Sequence, residues 1–387
     1  MITITINNEV YDVLPEQTIL EVINYHKIDD IPTFCQNQLL EPSSACFICV
    51  VEIEGAAGLK PSCSTKVSQG MVIYTNSEKV IASRKTNLEL LLSNHHADCY
   101  PPCRLACPAN VDIQGYIALC ARGMFKEGQM LMRETNALPM VCGRVCARPC
   151  ETECRRNYVD EPVDIKNIKR FMADQDLVGN SYLPTPLPTT GKKVAVIGSG
   201  PAGLSAAYFL RLKGHSVVIF EMMQEPGGML RYGIPEYRLP KKDLQQEIDL
   251  ILSLGISIHY NCIFGKDVTT ESLMDDGYDA IFLGIGAQHG SSMGIDGESL
   301  AGVMQGVDFL RAVNSGEDAG VHGIVYVVGG GNTAVDAART ALRLGADKVA
   351  MVYRRSEAEM PADREEIEAA KLEGVELKVL HNPVSYK

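Results

Sequence analysis

Twelve of the thirteen cysteines in this 387-residue sequence lie before residue 155, in two groups. Cys35, Cys46, Cys49 and Cys63 give C-x10-C-x2-C-x13-C. Eight more run from Cys99 to Cys154, with His95 and His96 just ahead of them, and Cys262 stands apart. The N-terminus, M-I-T-I-T-I-N-N-E-V, alternates as a strand does and lacks the basic start and apolar core of a secretory signal. A soluble cytoplasmic protein is expected, and that compartment keeps thiols reduced, so clustered cysteines point to metal rather than to disulfides. Four thiolates, three from one loop region and one after a strand, suit a [2Fe–2S] cluster. Cys99, Cys103, Cys107, Cys142, Cys146, Cys150 and Cys154 with a histidine would complete two [4Fe–4S] cubanes, each needing four ligands. Zinc is the alternative: a structural zinc at the first set, or one cubane with a zinc or vacant site at the second. Cys120, on an apolar helical face, and Cys262, beside a strand, read as small buried hydrophobes.

Two glycine-rich turns carry the remaining chemistry. Lys193 to Glu221 reads as strand, turn, helix and strand. Gly198 allows the tight turn, Gly200 lets backbone approach a pyrophosphate, and Gly203 lets helix pack on strand. Pro201 and Ala202 open the helix, whose free N–H groups and positive dipole end suit phosphates. Glu221, 23 residues beyond Gly198, is placed to accept from ribose hydroxyls. The bland alternative is a turn without ligand. In I-V-Y-V-V-G-G-G-N-T-A-V-D, Gly329, Gly331 and Ala334 fill the same turn positions, with Asn332 and Thr333 at the helix start. The next strand, Lys348 to Tyr353, ends on Arg354-Arg355 instead of an acid. Guanidinium binds a 2′-phosphate bidentately where carboxylate would repel it, which favours NADP over NAD. A solvated loop with salt partners between Asp363 and Glu368 is the other reading.

The elements that must position these groups follow from pattern. Residues 1–80 form a β-rich unit, with Ile2–Ile6, Glu9–Val13, Val50–Ile53 and Met71–Tyr74 strand-like and Ile19–His26 helical. Residues 81–185 are helix-rich, with amphipathic patterns at Val80–Leu92, Ile113–Arg122 and Lys126–Arg133. Ser181 to Thr190 carries three prolines and reads as a linker. Two dinucleotide units, 186–290 and 291–387, make an internal repeat of fold, Gly198 and Gly329 standing 131 residues apart. The length suffices for several domains with their own cores. A net charge of −12 argues against nucleic acid or anionic membrane as a general partner, and no apolar run reaches membrane-spanning length.

Several stretches resemble known families. The first cysteine set, with C-V-V-E-I-E-G from Cys49 and G-M-V-I-Y-T-N-S from Gly70, is similar to the ferredoxin-like domain that begins the large iron–sulfur subunit of respiratory complex I and of iron hydrogenases. Phe47 stands where a basic residue is common there. C-R-L-A-C-P, C-G-R-V-C-A-R-P-C-E-T-E-C, P-V-D-I-K-N-I-K and R-R-S-E-A-E-M-P-A resemble the glutamate synthase small subunit and the N-terminal part of dihydropyrimidine dehydrogenase, across residues 99–387. Cubane ligands interleave in that family, which implies Cys99, Cys103 and Cys154 on one cluster and Cys107, Cys146 and Cys150 on the other. His96 holds the place of the family's first cysteine, while N-H-H-A-D-C equally resembles the His-x3-Cys start of complex I and nominates His95. Dihydropyrimidine dehydrogenase uses a glutamine where this chain has Lys169; a protonated lysine has no lone pair to give, and Cys142 is the substitute.

P-G-G-M-L-R-Y-G-I-P-E-Y-R-L-P, Pro226 to Pro240, resembles the family's segment along the flavin, implying close approach at Gly227 and Gly228, Arg238 facing the cofactor, and FAD rather than NAD at the first turn. A proline-glycine surface loop is the alternative. Tyr278 to Gly286 looks like the strand returning toward the flavin. The family chain runs on into a further strand and a glycine–aspartate segment, so a sequence ending at Lys387 is expected to be a fragment or a departure from the pattern. The implied fold class is multidomain α/β: a β-grasp ferredoxin-like domain, an α-helical iron–sulfur domain and two Rossmann-like domains.

Hydride carries two electrons and a cluster takes one, and flavin is the usual converter. The modules then form a circuit from NADP(H) through FAD and the two cubanes to the [2Fe–2S] unit, with no side chain assigned acid–base work. The leading expectation is an electron-transfer subunit in a hetero-oligomer, its partner a formate dehydrogenase, a hydrogenase or an electron-bifurcating complex. The alternatives are a glutamate synthase small subunit serving an amidotransferase large subunit, and a flavin-free iron–sulfur wire or docking subunit.

Overall fold

Apolar residues alternate along β1 (Ile2–Ile6) and β2 (Glu9–Val13), which pair antiparallel with Ile4 opposite Tyr11. Asn7 and Asn8 make the turn at φ 50° and 69°, a left-handed conformation that asparagine tolerates and tight hairpins favour. α1 (Ile19–His26) starts in a capping box: Glu21 N–H donates to Thr18 Oγ1 at 3.2 Å and Thr18 N–H to Glu21 Oε2 at 2.7 Å. With β3 (Val50–Ile53), β4 (Lys60–Pro61) and β5 (Val72–Tyr74) the sheet order is β2-β1-β5-β3-β4, β5 running parallel to β1. Ile4, Ile6, Ile19, Val22, Ile23, Val51 and Ile73 form its core. α2 (Glu78–Ser93), which its amphipathic pattern alone assigns to the helical region, is tied to this sheet: Arg84 donates to Val50 O at 2.9 Å and Asn87 to Phe47 O at 3.0 Å. The computed structural model describes residues 1–36, 42–93, 100–178 and 181–387, in two units, Met1–Cys99 and Tyr100–Lys387.

The second unit opens with α3 (Pro102–Ala106), α4 (Ile113–Ala121), α5 (Phe125–Arg133), α6 (Pro139–Val145), α7 (Pro149–Thr152) and α8 (Ile165–Val178). Prolines begin α6 and α7, where a missing N–H costs nothing. α6 packs on α8 so closely that a Cβ on Gly143 would lie 2.7 Å from Arg170 Cα. The chain then builds β6 (Lys193–Ile197), α9 (Pro201–Leu212), β7 (Ser216–Phe220), α10 (Met229–Tyr232), α11 (Lys241–Leu252), β8 (Ser257–His259), α12 (Thr270–Asp275) and β9 (Ala280–Leu283), a parallel sheet ordered β8-β7-β6-β9. α13 (Gly306–Asn314), β10 (Ile324–Val328), α14 (Asn332–Arg343), β11 (Lys348–Tyr353), α15 (Arg364–Leu372) and β12 (Glu376–Val379) make a second parallel sheet, β10-β11-β12. Between helices and first sheet, 181–190 holds no helix or strand; Leu187 N–H donates to Leu212 O at 2.9 Å and Thr190 N–H to Gly214 O at 3.0 Å. Among the described residues no helix is long and apolar enough to cross a membrane.

α11 turns Leu244, Ile248 and Ile251 into the core and Glu247 with them. The carboxylate accepts from Met140 N–H at 2.9 Å and Val141 N–H at 3.0 Å, capping the first turn of α6 from a different helix. Arg133, 1% exposed, lies 3.7 Å from Glu247 and 3.6 Å from Asp176. Burial pushes the Glu247 pKa up to about 7, against the pull of Arg133 and the two amides. Glu247→Ala, which strands those amides and a buried guanidinium, should cost about 3–5 kcal/mol in denaturant unfolding, and Glu247→Gln less. Because the folded pKa lies above the ordinary 4.5, the wild-type advantage over Glu247→Gln should shrink as pH rises from 4.5 to about 7 and then level off.

Candidate functional site

β6 runs into Gly198 at φ +93°, where a Cβ would lie 2.6 Å from Gly284 O. Gly200 caps α9 and Pro201 begins it, with Pro201 and Ala202 exposed at the helix mouth. A Cβ on Gly203 would meet Gly198 O at 1.8 Å, so the helix rests directly on turn backbone. The segment from Pro226 forms the facing wall: Gly227 N–H donates to Ser199 O at 3.1 Å and Ser199 Oγ at 3.2 Å, and a Cβ on Gly228, at φ +52°, would come 2.8 Å from Gly200 Cα. Glu221 follows β7 and is 4% exposed, its Oε2 accepting from Ser199 N–H at 2.7 Å and Ser199 Oγ at 2.5 Å and its Oε1 from Met223 N–H at 2.8 Å. Each carboxylate oxygen has two lone pairs, so the acid retains acceptor capacity. Arg238 has acidic partners: Nη1 donates to Asp336 at 2.7 and 2.9 Å, and Nε lies 3.2 Å from Glu366.

The second turn repeats this plan. Gly329 has φ +143°, with a Cβ there 3.1 Å from that of Ala334, and Gly331 caps α14. A Cβ on Gly331 would meet nothing, so this side of the turn is open, and Asn332 and Thr333 are exposed beside it. Arg354 and Arg355 follow β11, both exposed and, among the described residues, in no ion pair. Most acids nearby are taken by others, Asp363 and Glu365 by Arg148, Glu366 by Arg238 and Arg339, Glu368 by Lys371, while Glu359, bonded to Ser356, feels the Arg355 charge.

In the first unit the four thiols act on one another. Hydrogen bonds from Ser43 and Cys46 bring Cys35 down to about 7. Burial, then the neighbouring Cys49, pushes Cys63 up to about 11. Ser44 at φ 54° and Phe47 at φ 52° bend the loop, and Phe47 is exposed. In the second unit Cys107 ends α3, Cys146 ends α6, Cys150 lies in α7 and Cys154 follows it. Burial raises Cys103, with Cys154 and Cys107 adding to it. Burial raises Cys150 to about 11, with Cys146 and Cys107 adding and Lys169 opposing. Cys142 is raised by burial, with Cys146 and Glu247 adding and Lys169 again opposing. Its Sγ is 3.8 Å from Asn136 Oδ1, and Lys169 is 7% exposed. Tyr116 lies fully buried near Cys150, Cys107 and Cys103, its hydroxyl donating to Ile165 O at 3.0 Å. Cys120 packs in the same apolar cluster, and Cys262 against Phe220 and Ile281. His95, His96 and Cys99 lie outside the described residues. Among the described residues no three Cys, His, Asp or Glu groups converge on a single ion; polynuclear clusters distribute thiolates over several irons and do not ask this of them, and a thiol-dominated donor set fits them.

Sequence reasoning missed Glu247, Asp336 and Arg148. Glu247 left a trace, an acid at an apolar-face position of α11 between Leu244 and Ile248. Asp336 and Arg148 left none, since their partners lie 98 and 215 residues away.

Residues 1–78 match the 2Fe-2S iron-sulfur cluster binding domain and 76–180 the 4Fe-4S cluster domain II of dihydropyrimidine dehydrogenase. Residues 192–386, half the chain, match the pyridine nucleotide-disulphide oxidoreductase model. The chain belongs to that family. The two iron–sulfur domain types and the pyridine-nucleotide flavoprotein type expected from the sequence are all present. It is 45% identical over 309 residues to the NADP(+)-dependent formate dehydrogenase subunit beta of Moorella thermoacetica, covering 73% of this chain and 44% of that one. It is 45% identical over 280 residues to the NADPH-Fe(3+) oxidoreductase subunit beta of Geobacter sulfurreducens, covering 71% and 42%. With the glutamate synthase [NADPH] small chain of Escherichia coli the identity is 37% over 298 residues, covering 73% and 63%. The chain thus spans less than half the length of the first two relatives.

Replacing Arg354 and Arg355 by Ala should weaken NADPH binding about tenfold or more with little change for NADH; equal losses, by titration calorimetry, would remove the 2′-phosphate argument. Gly228→Ala should lower flavin content per chain while circular dichroism stays unchanged.

Proposed function

We propose that this chain is the electron-transfer part of an iron–sulfur flavoprotein subunit that exchanges electrons between NADP(H) and a partner redox enzyme. The observation that carries the reading is the pair of glycine turns in one unit with the second thiol group, the first turn backed by Glu221 and the second followed by exposed Arg354 and Arg355. The Gly198–Gly203 turn, Gly228 and Glu221 would hold FAD, and Gly329–Ala334 with the two arginines NADP(H). Bound flavin supplies the exchange between electron pairs and single electrons. Of the cubane ligands, Cys103 and Cys154 belong to one site and Cys107, Cys146 and Cys150 to the other; Cys103 feels thiols of both, while the action of Cys146 and Cys107 on Cys150 supports the second set. Cys142, beside Cys146 and Lys169, is its fourth ligand. Cys35, Cys46, Cys49 and Cys63 hold the [2Fe–2S] centre. A cytoplasmic formate dehydrogenase-type catalytic subunit is the favoured partner, because a relative named as a formate dehydrogenase beta subunit is 45% identical.

The Escherichia coli small chain supports a second reading, a glutamate synthase subunit, which glutamine-dependent glutamate formation with a copurifying large subunit would single out. Anaerobically purified chain should contain roughly ten iron atoms, from one two-iron and two four-iron clusters, and NADPH should bleach its flavin absorbance. Iron near two per chain would sink the cubanes, and flavin unmoved by NADPH would sink the circuit.

A further inference from the structure

Arg148 lies between Cys146 and Cys150 at a left-handed φ of 50°. Its backbone N–H donates to Cys146 Sγ at 3.3 Å. Its guanidinium reaches the other way, donating to Asp363 at 3.0 and 3.3 Å and to Glu365, with Glu151 3.8 Å away. Asp363 caps α15, accepting from Glu365 N–H at 3.0 Å, and its own N–H donates to Asn332 Oδ1 at 3.0 Å. Asn332 is the first residue of α14, next to Gly331, and Ala362 N–H donates to Gly330 O at 3.1 Å. A continuous set of polar contacts therefore joins one thiol to the second glycine turn.

We infer that Arg148 couples occupancy of the dinucleotide turn to the charge state of the Cys146 centre. The inference rests on the NADP and cluster readings above. Negative charge added at the Cys146 centre would draw on the Arg148 N–H that bonds its sulfur, and a shift of that residue would loosen the hold of its guanidinium on Asp363 and Glu365. Lys166, 3.8 Å from Glu365, and Lys169, whose charge acts on Cys142 and Cys150, are further cations at hand. Carboxylates released from Arg148 stand beside the turn and disfavour an anionic nucleotide there. By linkage, bound nucleotide makes that centre harder to reduce by the same factor.

The test titrates the iron-loaded full chain with 2′-phospho-ADP-ribose, which has the phosphates but no nicotinamide, in the oxidised state and after dithionite reduction. Its dissociation constant should rise about fivefold or more on reduction. Arg148→Ala should bring the ratio near one, and Arg148→Lys, which keeps the charge without the fork, should retain part of it. Asp363→Asn combined with Glu365→Gln cuts the same link away from the thiols and should abolish the ratio with iron content unchanged, so a cluster lost in Arg148→Ala does not decide the outcome. Equal constants in both wild-type states, or an undiminished ratio in the Asp363/Glu365 variant, overturns the coupling. Failure of the oxidised wild type to bind the probe overturns the NADP reading instead.

Discussion

The second unit depends on one buried carboxylate. Short helices leave their first N–H groups without partners, and α6 has only seven residues in which to recover that cost. Its cap comes from Glu247, an acid on the helix that backs the first parallel sheet. A charge so placed is tolerable only when closely paired, and Arg133 and Asp176 close the set from the helical region. Arg144 adds a bond to Asp243 at 2.9 Å from the last turn of α6. The helix bearing Cys142 and Cys146 is therefore held to the glycine cradle by polar contacts of defined direction, where apolar packing alone would allow it to slide.

The two nucleotide turns show how little sequence changes a preference. Both place glycine where a Cβ is excluded or where φ is positive, and both start a helix at the open side of the turn. They diverge at the end of the next strand. Glu221 is buried and fixed by Ser199, whereas Arg354 and Arg355 stand in solvent. An acid satisfied within the fold suits a permanently held group, and exposed cations suit one that comes and goes.

Much of this was legible in the sequence. β1, β2, β3 and α1 occupy the spans that alternation and helical periodicity mark, and the glycine turns fall between strand and helix as their spacing requires. What periodicity does not encode is which surface a side chain meets. The polar half of α2 gives no sign that Arg84 and Asn87 reach back to backbone carbonyls of the first unit. Arg238 reads as a flavin contact from its motif, and the motif gives no sign of its ion pairs with Asp336 and Glu366. The fourth cubane ligand at His95 or His96 stays an expectation drawn from the sequence.

Lys169 gives the two proposed cubane sites unequal character. Lys169 is 7% exposed and its charge opposes the effect of burial on Cys142 and Cys150, in a medium that screens it weakly. Such a charge favours whichever form of the adjoining centre is more negative. With both clusters bound, the centre nearer Lys169 would be the sink of the pair, and an electron shared between them would rest there longer.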